Sequence, residues 1–415
     1  MIKHVRKIIF VFFGLLLIYI SAMTFVSCLD LSRMKNNAQQ GISLLEKEGP
    51  WPHHFFGSNE SDQLDNFTDK VMLEKSAISF HEYNNPLASA MDMGGYGRYW
   101  HGYEVILRPL LTMFSYVEIR FINTFFILGA FLLAAVKIKN NAGRRALFSF
   151  FVSMCFIKIF ITPMSMQFVN MIFLMLISVV ISEKVFLKKD FLTNKNSEFF
   201  SYFFILGSIT SFLDLLTTPV LPLGMTLLYL IVGFYKKHKH VLKKNTILWS
   251  GIAWGVGYAM TWISKWVIAS LVTPNNLIKE GFNQVIYRSS GNMSADEGGI
   301  KLDRVHAISK NLKMLISPFE RHSQLLLVVV SVIIFLVLII FYKRKNINWS
   351  YILNIFMVSL LPFVWYIIVG NHSQVHYWFT YRSLAITIFG IFYIALYVID
   401  FERILSSIKK NFAKN

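Results

Sequence analysis

Apolar residues in this chain gather into long runs separated by short stretches rich in lysine and arginine. A helix needs ~20 predominantly apolar residues to cross the hydrocarbon core of a bilayer. On that criterion the pattern predicts spanning helices near 7–27, 117–137, 146–162, 166–183, 199–217, 220–235, 246–271, 323–342, 350–370 and 381–400. The expected fold is all-α, a polytopic transmembrane bundle of roughly ten helices forming one integral membrane domain over 1–415. Two connections are long, 29–116 and 273–322. In the first, Tyr99 to Tyr116 mixes apolar and polar residues and should lie as a helix in the interface. The second contains Ser289-Ser290-Gly291-Asn292 and Gly298-Gly299, which read as a flexible excursion.

Charge tests the helix count. Lys137, Lys139, Arg144 and Arg145 follow the second predicted helix, Lys184, Lys188, Lys189 and Lys195 the fourth, and Lys236, Lys237, Lys239, Lys243 and Lys244 the sixth. Lys343, Arg344 and Lys345 follow the eighth, and Lys409, Lys410 and Lys414 close the chain. All of these fall on the side of the amino terminus, as the positive-inside rule demands. Both termini are therefore expected in the cytoplasm of a multi-pass cell-membrane protein, with the two long loops outside.

Composition agrees, since 55% of residues are hydrophobic and only 15% charged, so lipid is the solvent for much of the chain. A net charge of +18 would suggest nucleic acid in a soluble protein. Here the charge is dispersed among short connections, and no nucleic-acid partner is expected. The two cysteines, Cys28 and Cys155, build neither a disulfide framework nor a metal cluster. The apolar run Ile8 to Val26 exceeds the ~7–15 residues of a signal-peptide core, so it reads as a retained first helix.

Ionisable groups inside lipid cost ~2.5–3.5 kcal/mol each and need partners or water, which makes their positions informative. Lys158, Asp214, Lys265 and Arg382 fall near the outer ends of predicted spans, and Arg108 and Arg120 flank the second. Together they could line one cavity open to the outside, where basic groups suit a phosphate. Snorkelling, or pairing of Asp214 with Lys265, is the plain alternative. The segment Gly95 to Tyr103, with Tyr99, Trp100 and His101, offers aromatic faces that suit sugar rings as well as interfacial anchoring. His372 and His376 would share a helix face, but that spacing alone assigns no metal.

In the acidic stretch Asp62 to Glu74, Asp62 and Asp65 read as solvated loop carboxylates. Asp69 differs, because Thr68 offers a capping position and Val71, Met72 and Leu73 would dock the segment on the bundle. A carboxylate held at the bilayer edge beside cations is placed to act as a general base. Gly251-x-x-x-Gly255 suggests close helix packing. The chain has no Walker-type loop and no Gly-x-Ser-x-Gly elbow, which argues against an ATP motor or an ordinary serine hydrolase.

The layout of a first helix, a long acidic outer loop and a multi-helix bundle resembles the GT-C class of membrane glycosyltransferases. Arg108-Pro109-Leu110-Leu111 followed by Val117-Glu118-Ile119-Arg120-Phe121-Ile122-Asn123 is similar to the approach into the second helix in that class. Arg98-Tyr99-Trp100-His101-Gly102-Tyr103, Phe212-Leu213-Asp214-Leu215-Leu216-Thr217-Thr218-Pro219 and His376-Tyr377-Trp378-Phe379-Thr380-Tyr381-Arg382 look like segments of polytopic proteins from Gram-positive bacteria. The resemblance implies transfer of a sugar from a polyprenyl-phosphate-linked donor to a cell-envelope glycan acceptor at the outer face. It implies Asp69 as the catalytic carboxylate that activates the acceptor, and Arg382, Lys265 and Arg108 as holders of the lipid phosphate. Tyr99, Trp100, His101, Asp214, His372 and His376 complete the expected substrate contacts. Many members of the class carry two acidic residues adjacent or one apart, whereas Lys70 follows Asp69, so a divalent metal ion is left open as cofactor. A transporter or flippase of lipid-linked saccharide, or an envelope polysaccharide polymerase or acyltransferase, would share this plan.

Overall fold

The computed structural model describes residues 2–29, 31–53, 60–77, 85–186, 196–292, 299, 301–316, 321–400, 403, 404 and 406. The expectations placed on Lys188, Lys189, Lys195, Gly298, Lys409, Lys410 and Lys414 lie outside them. No strand forms among the described residues; every regular element is helical. Among the described residues six helices are long and apolar enough to cross a membrane: Arg6–Ser27, Tyr116–Asn141, Met166–Glu183, Val220–His238, Trp349–Ile368 and Tyr377–Val398. They mark a multi-pass membrane protein.

The expected count of ten spans is not confirmed; six is the number that length and apolarity mark among the described residues. The helix Arg144–Phe156 has 13 residues, about 20 Å at 1.5 Å per residue, short of a ~30 Å hydrocarbon core. It stops because Lys158 is left-handed, with φ 55°, and a 3-10 segment Ile159–Met164 containing Pro163 follows. Asn196–Leu213 and Arg321–Tyr342 are helices of 18 and 22 residues, apolar over Glu198–Leu213 and Val328–Tyr342. Lys244–Val272 is long, 29 residues, but carries Lys265 and several small or polar positions.

Two glycines explain how the bundle closes. A Cβ on Gly207 would collide with the Trp254 carbonyl, and one on Gly257 with the Phe204 carbonyl. The helices Asn196–Leu213 and Lys244–Val272 therefore cross in backbone contact. Gly251 and Gly255, expected to make this kind of contact, do not: nothing lies within 4 Å of a Cβ built on either.

Among its described residues the first long loop folds as four α-helices, Leu31–Glu48, Asn66–Ala77, Pro86–Asp92 and Glu104–Met113, with a 3-10 turn at Glu60–Asp62. Met34, Ala38, Ile42, Leu45, Met72, Leu73, Tyr103, Leu107 and Leu111 bury a second core among three of them. The second loop is also helical, Leu277–Ser290 and Arg304–Leu315. Ser289 and Ser290, expected in a flexible excursion, form its last turn, closed by Gly291 N–H donating to the Ile286 and Tyr287 carbonyls.

Candidate functional site

Asp69 is fully buried, and all its acceptor capacity is engaged. Oδ2 accepts from Tyr116 Oη at 2.9 Å and Met166 N at 2.9 Å. Oδ1 accepts from Gln167 N at 3.0 Å and Ser165 Oγ at 3.1 Å. The two amides open the helix Met166–Phe186, where a carboxylate meets otherwise unpaired N–H groups and the positive end of the helix dipole. Burial raises the Asp69 pKa against these donors. Next to it, Arg120 forks onto Glu48 at 2.7 and 2.9 Å and donates to the Met164 carbonyl at 2.9 Å. Asp69 thus pins the first loop to the bundle.

Asp62 and Asp65 depart from the expectation of solvated loop carboxylates. Both are buried. Asp65 precedes the helix Asn66–Ala77 and caps it, accepting from Thr68 N at 2.9 Å and Thr68 Oγ1 at 2.7 Å. Thr68 is the donor in this cap, not the capping residue. Burial pushes the Asp65 carboxyl up to about 7, with Asp69 adding to the rise and Thr68 and Arg382 opposing it. Asp62 faces His53, Nδ1 to Oδ1 3.4 Å.

Arg382 faces the same carboxylates. It is 1% exposed, lies over the Phe168 ring at 4.2 Å and is within electrostatic reach of Asp62 and Asp65. Nη1 donates to the Trp378 carbonyl at 3.3 Å, while Nε and Nη2 have no partner among the described residues. Lys158 lies within reach of Asp62 and Arg382. Tyr381 fastens the arrangement by donating to the Ser61 carbonyl at 2.7 Å.

Lys265 and Arg108 do not join this centre. Lys265 Nζ donates to the Met91 carbonyl at 2.8 Å and the Ala90 carbonyl at 3.3 Å, closing the end of the helix Pro86–Asp92. No ion pair links it to Asp214. Arg108 is buried in the first-loop core beside Glu104, one turn earlier. Burial lowers Arg108 to about 10 and raises Glu104 to about 7, each opposed by the other's charge.

The aromatic segment Tyr99–Tyr103 is docked, not a surface belt. Trp100 Nε1 donates to the Thr261 carbonyl at 2.6 Å, and Tyr99 stacks on Trp262 at 5.9 Å. His101 sits at φ 54°, with Nε2 2.8 Å from the Tyr96 carbonyl and Nδ1 3.1 Å from Tyr103 Oη. A carbonyl only accepts, so Nε2 carries the proton and the Tyr103 hydroxyl donates to Nδ1. Burial pushes this imidazole down to about 3, so it is neutral.

Asp214 and His372 meet across a strained turn. Asp214 Oδ1 accepts from Thr217 N at 2.9 Å, and Leu216 between them is left-handed at φ 65°. His372 Nε2 donates to the Leu216 carbonyl at 2.8 Å, fixing that conformation. His376 lies 4.7 Å from His372 by ring centroids and 3.5 Å from Arg288 Nη1. Burial, then Arg288, lowers His376 to about 3. Arg288, on the second loop, escaped the sequence reading because nothing local distinguishes it from an exposed helix cation. Among the described residues no group of three or more His, Cys, Asp or Glu is placed to hold a metal.

The structure therefore brings Arg382, Lys158, Asp62, Asp65 and Asp69 together. It places Asp214, His372 and His376 beyond Phe379, whose ring is 5.8 Å from His372 and 6.4 Å from Phe168. Lys265 and Arg108 sit in separate structural roles. Comparison of the chain with known protein families, characterised proteins and solved structures finds no match.

Proposed function

We propose that this chain is a membrane glycosyltransferase that moves a sugar from a polyprenyl-phosphate donor to a hydroxyl of a cell-envelope glycan. The chemistry takes place on the non-cytoplasmic side, both termini being cytoplasmic by the charge of the connections. One observation carries the reading: the buried Arg382 guanidinium holds two unpartnered nitrogens while facing the Asp62 and Asp65 carboxylates. A guanidinium in this state is a fork for two phosphate oxygens, strengthened by the low dielectric around it.

In this mechanism Arg382, with Lys158 adding charge, stabilises the phosphate as its bond to the sugar breaks. Asp65 takes the proton of the incoming acceptor hydroxyl. A carboxylate titrating near 7 is matched to that task, because it is ionised often enough to act and basic enough to accept the proton. Asp69 is then a positioning residue, with no oxygen left for the acceptor.

The test uses membrane vesicles containing the full chain, a panel of polyprenyl-phosphate hexoses and envelope glycan as acceptor. Asp65→Asn and Arg382→Ala should each lower transfer by about a hundredfold or more, the range for loss of a general base or a charge-stabilising donor. Arg382→Lys should recover part of the loss. Undiminished transfer in both Asp65→Asn and Arg382→Ala would overturn the proposal.

A further inference from the structure

The proposed mechanism gives tasks to Arg382, Lys158 and Asp65 and leaves Asp62 without one. Asp62 ends a three-residue 3-10 turn, Glu60-Ser61-Asp62, that runs from solvent to the centre: Glu60 is exposed, while Ser61 and Asp62 are fully buried. The Asp62 carboxylate acts electrostatically on both Lys158 and Arg382. In this structure it supplies the negative charge that a substrate phosphate would bring to the same two cations. A buried cation stripped of every counter-charge is costly, so an anion of the chain's own has a reason to stand there between turnovers.

Access is the second observation. Arg382, Asp65 and Phe168, the ring beneath the guanidinium, are all buried. No reactant reaches so enclosed a centre unless part of its wall moves, and the turn is the part held most lightly. None of its three side chains is apolar, and its fastenings are polar. Tyr377 Oη donates to Glu60 Oε2, Tyr381 Oη donates to the Ser61 carbonyl at 2.7 Å, and His53 Nδ1 lies 3.4 Å from Asp62 Oδ1. Such contacts contribute little net of their exchange with water, whereas burial of apolar Leu64 anchors the chain just beyond the turn. The Tyr377 fastening lies at the surface, and Lys310 of the second loop sits 4.4 Å from the same ring, so both outer loops meet at this latch.

We infer that Glu60-Ser61-Asp62 is a self-inhibitory plug, latched by Tyr377, whose Asp62 carboxylate holds the place of the substrate phosphate and swings out when that phosphate arrives. The inference rests on the transferase reading for the identity of the anion; the plug itself is read from the burial of the centre and the polar fastenings of the turn. One anion replaces another at Arg382 and Lys158, so the cations keep a counter-charge throughout. Donor affinity is then reduced by the fraction of chains in which the plug is closed, and loosening the latch tightens apparent binding without any new contact to the donor.

The experiment reads access to the centre chemically, on the full chain in nanodiscs. Both native cysteines are exposed, so Cys28→Ser and Cys155→Ser clear the background, and Phe168→Cys places a thiol beneath Arg382. The probe is the small anionic thiol reagent sulfonatoethyl methanethiosulfonate. Labelling should be slow with the plug intact and about tenfold faster after Tyr377→Phe or Asp62→Asn, the scale of one lost hydrogen bond or charge contact. Tyr377→Phe keeps the ring at a surface contact, so the fold is retained, and the melting temperature checks this. Fast labelling with the plug intact, or a rate indifferent to both substitutions, would overturn the inference. In a transfer assay Tyr377→Phe should lower the donor KM by up to about tenfold, and a raised KM would also count against the plug. Labelling needs no turnover, so the two readings fail separately. A latch-controlled thiol in a chain that transfers no sugar sinks the transferase and leaves the plug, whereas active transfer with latch-independent labelling sinks the plug alone.

Discussion

Replacing Asp69 by asparagine separates an anchor from a catalyst. The carboxylate accepts two donors on each oxygen, and each pair contains one backbone amide and one hydroxyl. Whichever way the new amide is turned, its NH2 group faces one of these pairs. The hydroxyl can rotate away, but Met166 N or Gln167 N is left stranded in a fully buried site. A hydrogen bond to a charged group contributes ~1.5–3 kcal/mol and a stranded buried donor costs ~1–3 kcal/mol. With partial relaxation, the loss is expected at about 2–4 kcal/mol. Thermal unfolding of the detergent-purified chain reads this directly. Tyr116→Phe alone and together with Asp69→Asn completes a double-mutant cycle, in which the two effects should fall well short of adding. An Asp69→Asn protein that melts like wild type would refute the anchoring role and return Asp69 to the list of candidate bases.

Other outcomes follow from the same geometry. Gly207→Ala or Gly257→Ala should destabilise the chain severely, because the methyl meets backbone and not a movable side chain, whereas Gly251→Ala should melt within about 0.5 kcal/mol of wild type; equal melting across the set would contradict the backbone crossing. The Asp65 carboxyl titrates near 7 in the fold against an ordinary 3.8, so its burial disfavours the ionised form. Stability is accordingly fully present below about pH 4 and declines as pH rises towards 7, and Asp65→Asn should flatten that slope. Transfer should move the opposite way, rising with pH through about 7; a rate that does not respond to pH there would remove Asp65 as the base. Lys265→Met should cost about 1–3 kcal/mol of stability by uncapping the Pro86–Asp92 carbonyls, with donor KM unchanged in a transfer assay.

The apolar runs made the helical class and its membrane solvent legible, because hydrophobic length is a local property of sequence. Termination was not: the helix Arg144–Phe156 ends at a left-handed Lys158, which no residue preference announces. The glycine motif misled for a related reason. Gly251 and Gly255 have the spacing of a packing stripe, but the helix that approaches closely does so at Gly257, using a lone Gly207 as counterpart. Within the candidate site, Arg382 was readable from its position in an apolar run. Asp62 and Asp65 were not, since an acidic stretch looks solvated until the tertiary fold draws it beneath Tyr377 and Tyr381, which bond to Glu60 and the Ser61 carbonyl. The distinction between Asp65 and Asp69 depended on counting donors, and those of Asp69 come from residues 47 to 98 positions away.

The crossing at Gly207 and Gly257 bears on how such a protein could move. Two helices whose main chains touch have no cushion of side chains over which to slide or roll, so this pair behaves as one beam. Alternating access by rocking would need its hinge elsewhere, among helices that meet through longer side chains. Distance measurements between spin labels on these two helices should therefore give one narrow distribution, whatever the neighbouring helices do.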